Sequence, residues 1–159
     1  MNQHTQLPRS VTIQELPSLV GTVIGQSRPI TVPQDRIDAF AEATEDRQWL
    51  HTDPDRAKDG PFGSTIAHGY LTLSLSTALL WDVLDVTDAD QVVNYGLDKV
   101  RFPAPVPAGS AVSMSLEILE VQDIKGGVQM RYRGSATIAD QPKPVCVAEG
   151  IFRYYKGQS

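Results

Sequence analysis

Residues 45–85 read EDRQWLHTDPDRAKDGPFGSTIAHGYLTLSLSTALLWDVLD, and the fold turns on this stretch. Its first half, to Thr65, is polar and irregular, and sets Asp46 and His51 five residues apart. Its second half, Ile66 to Leu84, is one apolar segment opened by Ala67-His68-Gly69. Between Gly69 and Trp81 no side chain carries a formal charge, and the small polar groups are the hydroxyls of Thr72, Ser74, Ser76 and Thr77. Such a segment is either a buried helix or a membrane span. At under about 20 residues it is short for a span. We read a helix over about 67–84, buried on nearly all sides. A helix of that kind needs a sheet wrapped round it.

The flanks supply that sheet. Residues 1–10 read as a loose tail. Thr12 and Glu15 have capping-box spacing, and Pro17 cuts the helix they would start. Gly21–Ile30 reads as a short strand with a turn. Pro33 suits a first helical turn, and Ile37, Phe40, Ala41 and Thr44 fall on one face of that helix. Asp53-Pro54 is a second helix start, ended by Gly60-Pro61. After Asp90 the period changes to two. Val100 and Phe102, then Val112 to Ile118, then Val128 to Ile138 alternate with polar residues, and Lys125-Gly126-Gly127 is a hairpin turn. Val145–Tyr155 is apolar on both faces and reads as a strand away from an edge. The class is α+β, with an antiparallel sheet around a central helix, in one domain over 1–159.

Composition excludes several classes. Fourteen basic against nineteen acidic residues give a net charge of −5, so nucleic acid and anionic membrane are not expected partners. The single cysteine, Cys146, cannot form an internal disulfide and reads as a small buried hydrophobe in a reducing compartment. The polar start MNQHTQLPRS has no apolar signal core, so the cytoplasm is the expected location.

The three histidines narrow the chemistry: His4 lies in the tail, while His51 and His68 flank the polar half of the central stretch. A metal site would need further ligands. Asp46, Asp53, Asp55 and Asp59 are acids at hand, but no HExxH or paired-cysteine spacing accompanies them, and no metal is expected. Gly63-Ser64 lacks the rest of a nucleophile elbow, and no phosphate loop is present. Acid–base work by Asp46 and His51 on one water is the remaining chemistry, since imidazole both takes and gives a proton near neutrality. Gly69, at a helix N-terminus, offers an amide to a developing oxyanion. On the residues alone a quieter reading stands beside this one: Asp46 caps a turn, His51 packs, and His68-Gly69 is a tight helix start.

Asp46-x-Gln48-x-x-His51-x-Asp53, followed by Ile66-Ala67-His68-Gly69 and the apolar helix, resembles the MaoC-like hydratases and dehydratases, (R)-specific enoyl-thioester enzymes of hot-dog fold. Pro61-Phe62-Gly63, Asn94-Tyr95-Gly96 and Lys99 to Val106 are similar to the branch holding nodulation protein N and the mycobacterial 3-hydroxyacyl-thioester dehydratases. The resemblance implies that Asp46 and His51 hold and activate a water, and that the Gly69 amide polarises a thioester carbonyl. Thr77 stands where better-known members have a serine, and Gln48 where many have Asn; His68 is counted with them as a positioning residue. No cofactor is implied. The implied substrate is an acyl-CoA or acyl-carrier-protein thioester, and the implied assembly a homodimer. Lys99 with Arg101, or Arg131 with Arg133, would meet the phosphates, although solvated strand faces explain each pair as well. Tyr70, Leu73, Trp81 and Met114 are the expected lining of an acyl tunnel. A hot-dog acyl-thioesterase and a non-catalytic thioester-binding protein are the competing functions.

Overall fold

The period-two segments form long strands. A computed structural model describes residues 8–157. Its order is β1 (Arg9–Val11), β2 (Val23–Gln26), β3 (Ile30–Thr31), α1 (Gln34–Thr44), α2 (Trp49–Thr52), α3 (Pro54–Ala57), α4 (Gly69–Trp81), β4 (Leu84–Val86), β5 (Gln91–Arg101), β6 (Ala111–Ile124), β7 (Gly127–Ile138) and β8 (Cys146–Tyr155). The main sheet is antiparallel, in the order β2-β6-β7-β8-β5, with β3 also on β6. Along β7 and β8 buried and half-buried residues alternate without a break, as a sheet with one face on the core requires. α4 lies on that inner face, so the architecture is the α+β hot-dog arrangement, with β8 interior as expected.

Three expectations need correction. α4 is shorter than 67–84 and is not covered on all sides. Leu71, Thr72, Leu79 and Leu80 are buried, but Tyr70 is 70% and Trp81 43% exposed, so neither encloses a tunnel within a single copy. The helix loses both ends to pairing: Ile66 bridges Pro107, and Leu84–Val86 leaves the helix direction to pair in parallel with Arg9–Val11. That pairing also draws residues 9 and 10 out of the expected tail; residues 1–7, with His4, lie outside the described residues. Last, the segment read as a bare loop between Asp46 and Asp53 contains α2.

Local chemistry explains the shorter elements. Glu15 reaches back to the Thr12 amide at 2.7 Å, the capping-box bond, and a single 3-10 turn (Leu16–Leu19) follows. Asp53 caps α3 by accepting from the Arg56 amide at 3.0 Å. Glu45 ends α1 in the left-handed region at φ 63°, a strained position for a residue with a side chain. Among the described residues no helix is long and apolar enough to cross a membrane.

Gly150 shows how tightly the sheet packs. A Cβ there would lie 2.6 Å from the ring of Tyr132, its register partner, which is 2% exposed and stacks on Phe152 at 5.4 Å. Gly150→Ala is therefore expected to destabilise the fold by about 1–3 kcal/mol through overpacking. Urea unfolding of the two proteins measures this; an unchanged midpoint would show that Tyr132 has room to move.

Candidate active site

The turn around Ile66 assembles the site. The Ile66 amide donates to the Leu50 carbonyl (3.0 Å), Ala67 donates to Val106 (2.8 Å) and Ala108 donates to Thr65 (2.9 Å). Residues 65–67 are thus pinned between α2 and the proline-rich segment 103–107. The Ile66 carbonyl accepts from His51 Nδ1 at 2.7 Å. A carbonyl can only accept, so Nδ1 carries the proton and Nε2 keeps its lone pair. His51 is 7% exposed. Burial pushes its imidazole below the ordinary range; the Ile66 hydrogen bond opposes this, the charge of His68 adds to it, and Asp46 opposes it.

Asp46 leaves α1 just after the strained Glu45, and its side chain is 55% exposed. One side-chain ligand atom each from Asp46, His51 and His68 lie within 4.8 Å of one another. Two hydrogen bonds of ordinary length to a single water span about 4.6 Å, so a carboxylate and an imidazole at this separation can share one. The same three residues outline a metal site, but the His51 and His68 rings stack at 3.8 Å and 23°. Stacked rings send their in-plane lone pairs out side by side, not to one point. Each ring also commits one nitrogen to a main-chain carbonyl, His51 to Ile66 and His68 to Asp46 (2.9 Å).

Gly69 opens α4, where amides precede the first intrahelical bonds. It faces a pocket of about 360 Å³ that is also lined by His51, Phe62, Thr72, Phe102 and Val145, with Ile66–Ala67 and residues 103–106. A Cβ on Gly69 would meet the Phe102 ring at 3.0 Å, so a side chain there would crowd the pocket wall.

The other expected residues divide. Gln48 is exposed, and its link to His51 runs through the main chain: its carbonyl accepts from the His51 amide at 2.9 Å. Thr77 is half-buried, eight residues beyond Gly69 and so about 12 Å along the helix. Arg131 pairs with Asp98 (3.1 Å), Glu120 (3.3 Å) and Glu149 (3.7 Å), and Arg133 with Glu117 (3.0 Å) and Glu149 (2.9 Å). Lys99 lies 3.9 Å from Glu149, while Arg101, exposed beside Phe102, donates to the Val100 carbonyl. Thr72, 2% exposed in the pocket wall, escaped the sequence reading because it looks like any hydroxyl of an apolar helix. Gln34 escaped it too. It lies 17 residues upstream of His51 and donates to the His51 carbonyl at 2.7 Å, while its Oε1 accepts from Thr65.

The sequence matches the MaoC like domain family over residues 15–138, and the chain belongs to that family. It is 44% identical to 3-hydroxyacyl-thioester dehydratase Z of Mycobacterium tuberculosis, over 90% of this chain and 95% of that one. Nodulation protein N of Rhizobium leguminosarum bv. viciae is 39% identical, with 89% of each chain covered. The solved R-hydratase from Pseudomonas aeruginosa in its unliganded form superposes with a TM-score of 0.70 at 25% identity, over 87% of this chain and 83% of that one.

A histidine held below its unfolded value binds fewer protons folded than unfolded. Its contribution to stability is therefore intact above about pH 6.5 and is lost as the pH falls below it. An NMR titration is expected to place the His51 midpoint below that of a free histidine, and His51→Gln is expected to make the loss of stability on acidification shallower. A His51 midpoint at or above 6.5 would contradict the role given to burial.

Proposed function

We propose that this chain is a hydro-lyase that adds water to a trans-2-enoyl thioester, giving the (R)-3-hydroxyacyl thioester, and that it catalyses the reverse dehydration. The observation that carries this reading is the placement of the His51 ring, its Nδ1 bound to Ile66 and its Nε2 without a hydrogen bond among the described residues, close to the Asp46 carboxylate and in a pocket that Gly69 also lines. The names of the relatives, a 3-hydroxyacyl-thioester dehydratase and an R-hydratase, support the same chemistry.

In the hydration direction the thioester carbonyl accepts from the Gly69 N–H, with the α4 dipole behind it. Asp46 and His51 hold one water over C3 of the enoyl group. As the new C3–O bond forms, a water proton passes to His51 Nε2 and the π electrons move to the thioester oxygen. The enolate then collapses and C2 takes the proton from His51, so one water is consumed and the dyad is restored. With the carbonyl and the water both held, one face of the double bond is open, and the product has one configuration. The apolar walls receive the acyl group. For the phosphates of a CoA arm, Arg101 is the better candidate, since Arg131 and Arg133 already face carboxylates.

The active assembly is proposed to be a homodimer. β5 is an edge strand of eleven residues with exposed Tyr95 and Leu97, and an uncovered edge of that length is a pairing surface.

Asp46→Asn and His51→Ala are each expected to abolish loss of the conjugated absorbance of crotonyl-CoA with the fold intact. Release of free CoA by the wild type, with no 3-hydroxy product, would make it a thioesterase instead. Gly69 allows a finer test. His68, before it, has ψ 138°, the extended geometry that a following proline needs, and proline is tolerated at a first helical position. Gly69→Ala adds a Cβ and keeps the N–H; Gly69→Pro adds the ring and removes it. The proline variant is expected to be on the order of 100-fold slower in kcat than the alanine variant. Equal rates would remove the amide from the mechanism.

A further inference from the structure

We propose that His68 is the positioning residue of this site: one side chain ties down the Asp46 segment and supports the His51 ring, while its main chain sets where the Gly69 amide lies. This goes beyond the hydratase reading and rests on it.

The Asp46 segment needs holding. It is exposed, follows the strained Glu45, and within itself has the Arg47 amide donating to the Glu45 carbonyl at 3.1 Å. The tie across the fold comes from His68, 22 residues away, which is 3% exposed. Its Nε2 lies 2.9 Å from the Asp46 carbonyl oxygen, so Nε2 carries the proton and donates. The other nitrogen, Nδ1, is buried and makes no hydrogen bond among the described residues. The polar function of the ring therefore resides in Nε2 alone.

The faces of the ring are also engaged. His51 stacks on it at 3.8 Å, and Phe40 of α1 packs against it at 5.0 Å. His51 is thus gripped at its edge by the Ile66 carbonyl and on its face by His68. A buried ring with both contacts has little freedom to leave the orientation in which Nε2 is presented.

The main chain of His68 does the third part. It is extended (φ −58°, ψ 138°), and its carbonyl accepts from the Thr72 amide at 3.2 Å, closing the first turn of α4. The direction of the Gly69 N–H follows from that turn. Both halves of the proposed chemistry, the water-holding pair and the oxyanion donor, are therefore referred to one residue. Their relative placement matters because a misplacement of about 1 Å can cost on the order of 100-fold in rate.

Two substitutions separate the functions of the ring. A Gln amide nitrogen falls near the position of His Nε2, so His68→Gln keeps the donor to Asp46 and loses the stack. His68→Phe keeps a stacking ring and loses the donor. His68→Phe is expected to lower kcat on crotonyl-CoA by on the order of 100-fold with little change in KM, and His68→Gln to recover most of that loss. Hydrogen exchange read over residues 45–50 is expected to quicken in His68→Phe and to stay near wild type in His68→Gln. In His68→Gln, which keeps Asp46 in place, the acid limb of kcat/KM, with the NMR midpoint of His51, is expected to move to higher pH. The neighbouring imidazole acts to lower His51 while Asp46 acts to raise it, and in that variant only the first is removed. If His68→Phe does not fold, His68→Asn, whose amide is too short to reach the Asp46 carbonyl, carries the same expectations. A His68→Phe or His68→Asn protein with wild-type kcat and wild-type exchange at 45–50 would overturn the proposal. So would His68→Gln and His68→Phe losing activity equally with exchange unchanged. If the wild type hydrates no enoyl-CoA, the hydratase reading fails, and the exchange and titration measurements still decide whether His68 positions Asp46 and His51.

Discussion

The hydrogen bond from His51 Nδ1 to the Ile66 carbonyl, 2.7 Å long, is the constraint on which the site depends. It joins the polar half of the central stretch to the start of the apolar half, fifteen residues on. Leaving a buried donor without its partner costs about 1–3 kcal/mol, so the tautomer and the ring orientation are set together. The bond is firm because Ile66 is firm. Its neighbours are tied to Val106 and to Ala108, in a segment where Pro103, Pro105 and Pro107 restrict the backbone. His51 thus takes its rigidity from the segment after β5 as well as from the short helix that carries it.

Electrostatics at His51 is a contest with a clear order. Burial acts most strongly, against the charged form, and the Ile66 carbonyl and Asp46 act for it. Asp46 cannot reverse the balance because more than half of its side chain meets solvent. At the separation of these groups, two unit charges in water-like surroundings interact by about 1 kcal/mol. The same exposure leaves the carboxylate accessible to a water and to a substrate. A fully buried Asp46 would drive His51 toward the imidazolium and, under the proposed chemistry, remove the base.

How much of this could be read beforehand depends on distance along the chain. The Asp46–His51 pair, the glycine at the head of α4, the hairpin at Lys125-Gly126 and the interior place of β8 are local patterns, and the residues display them directly. The coverage of α4 was misjudged for a physical reason. A helix with no charge between Gly69 and Trp81 looks buried all round, yet Tyr70 and Trp81 turn outward in a single copy. The β5 edge is exposed as well, and both are surfaces that a second copy of the chain would cover under the homodimer proposal. The spacing of Arg131 and Arg133 correctly places both on one strand face, but it could not show their partners. Those are Asp98 from β5, Glu117 and Glu120 from β6, and Glu149 from β8, brought alongside by register.

Register also explains why the most informative contacts of the site were out of reach. Gln34, Phe102 and the 103–107 segment flank His51 and Gly69 from both directions in sequence; Lys99 to Val106 carry part of the family resemblance, but nothing there shows that they wall the site. Phe102 is a strand-end aromatic until the ring is seen 3.0 Å from where a Cβ on Gly69 would stand. From that point the glycine has a second reason to be there. Under the proposed chemistry it presents an amide, and it leaves space for a wall of the pocket. A residue that serves the chemistry and the packing at once can be recognised as a glycine from sequence, but only the fold separates the two demands, and here they act on the same atom position.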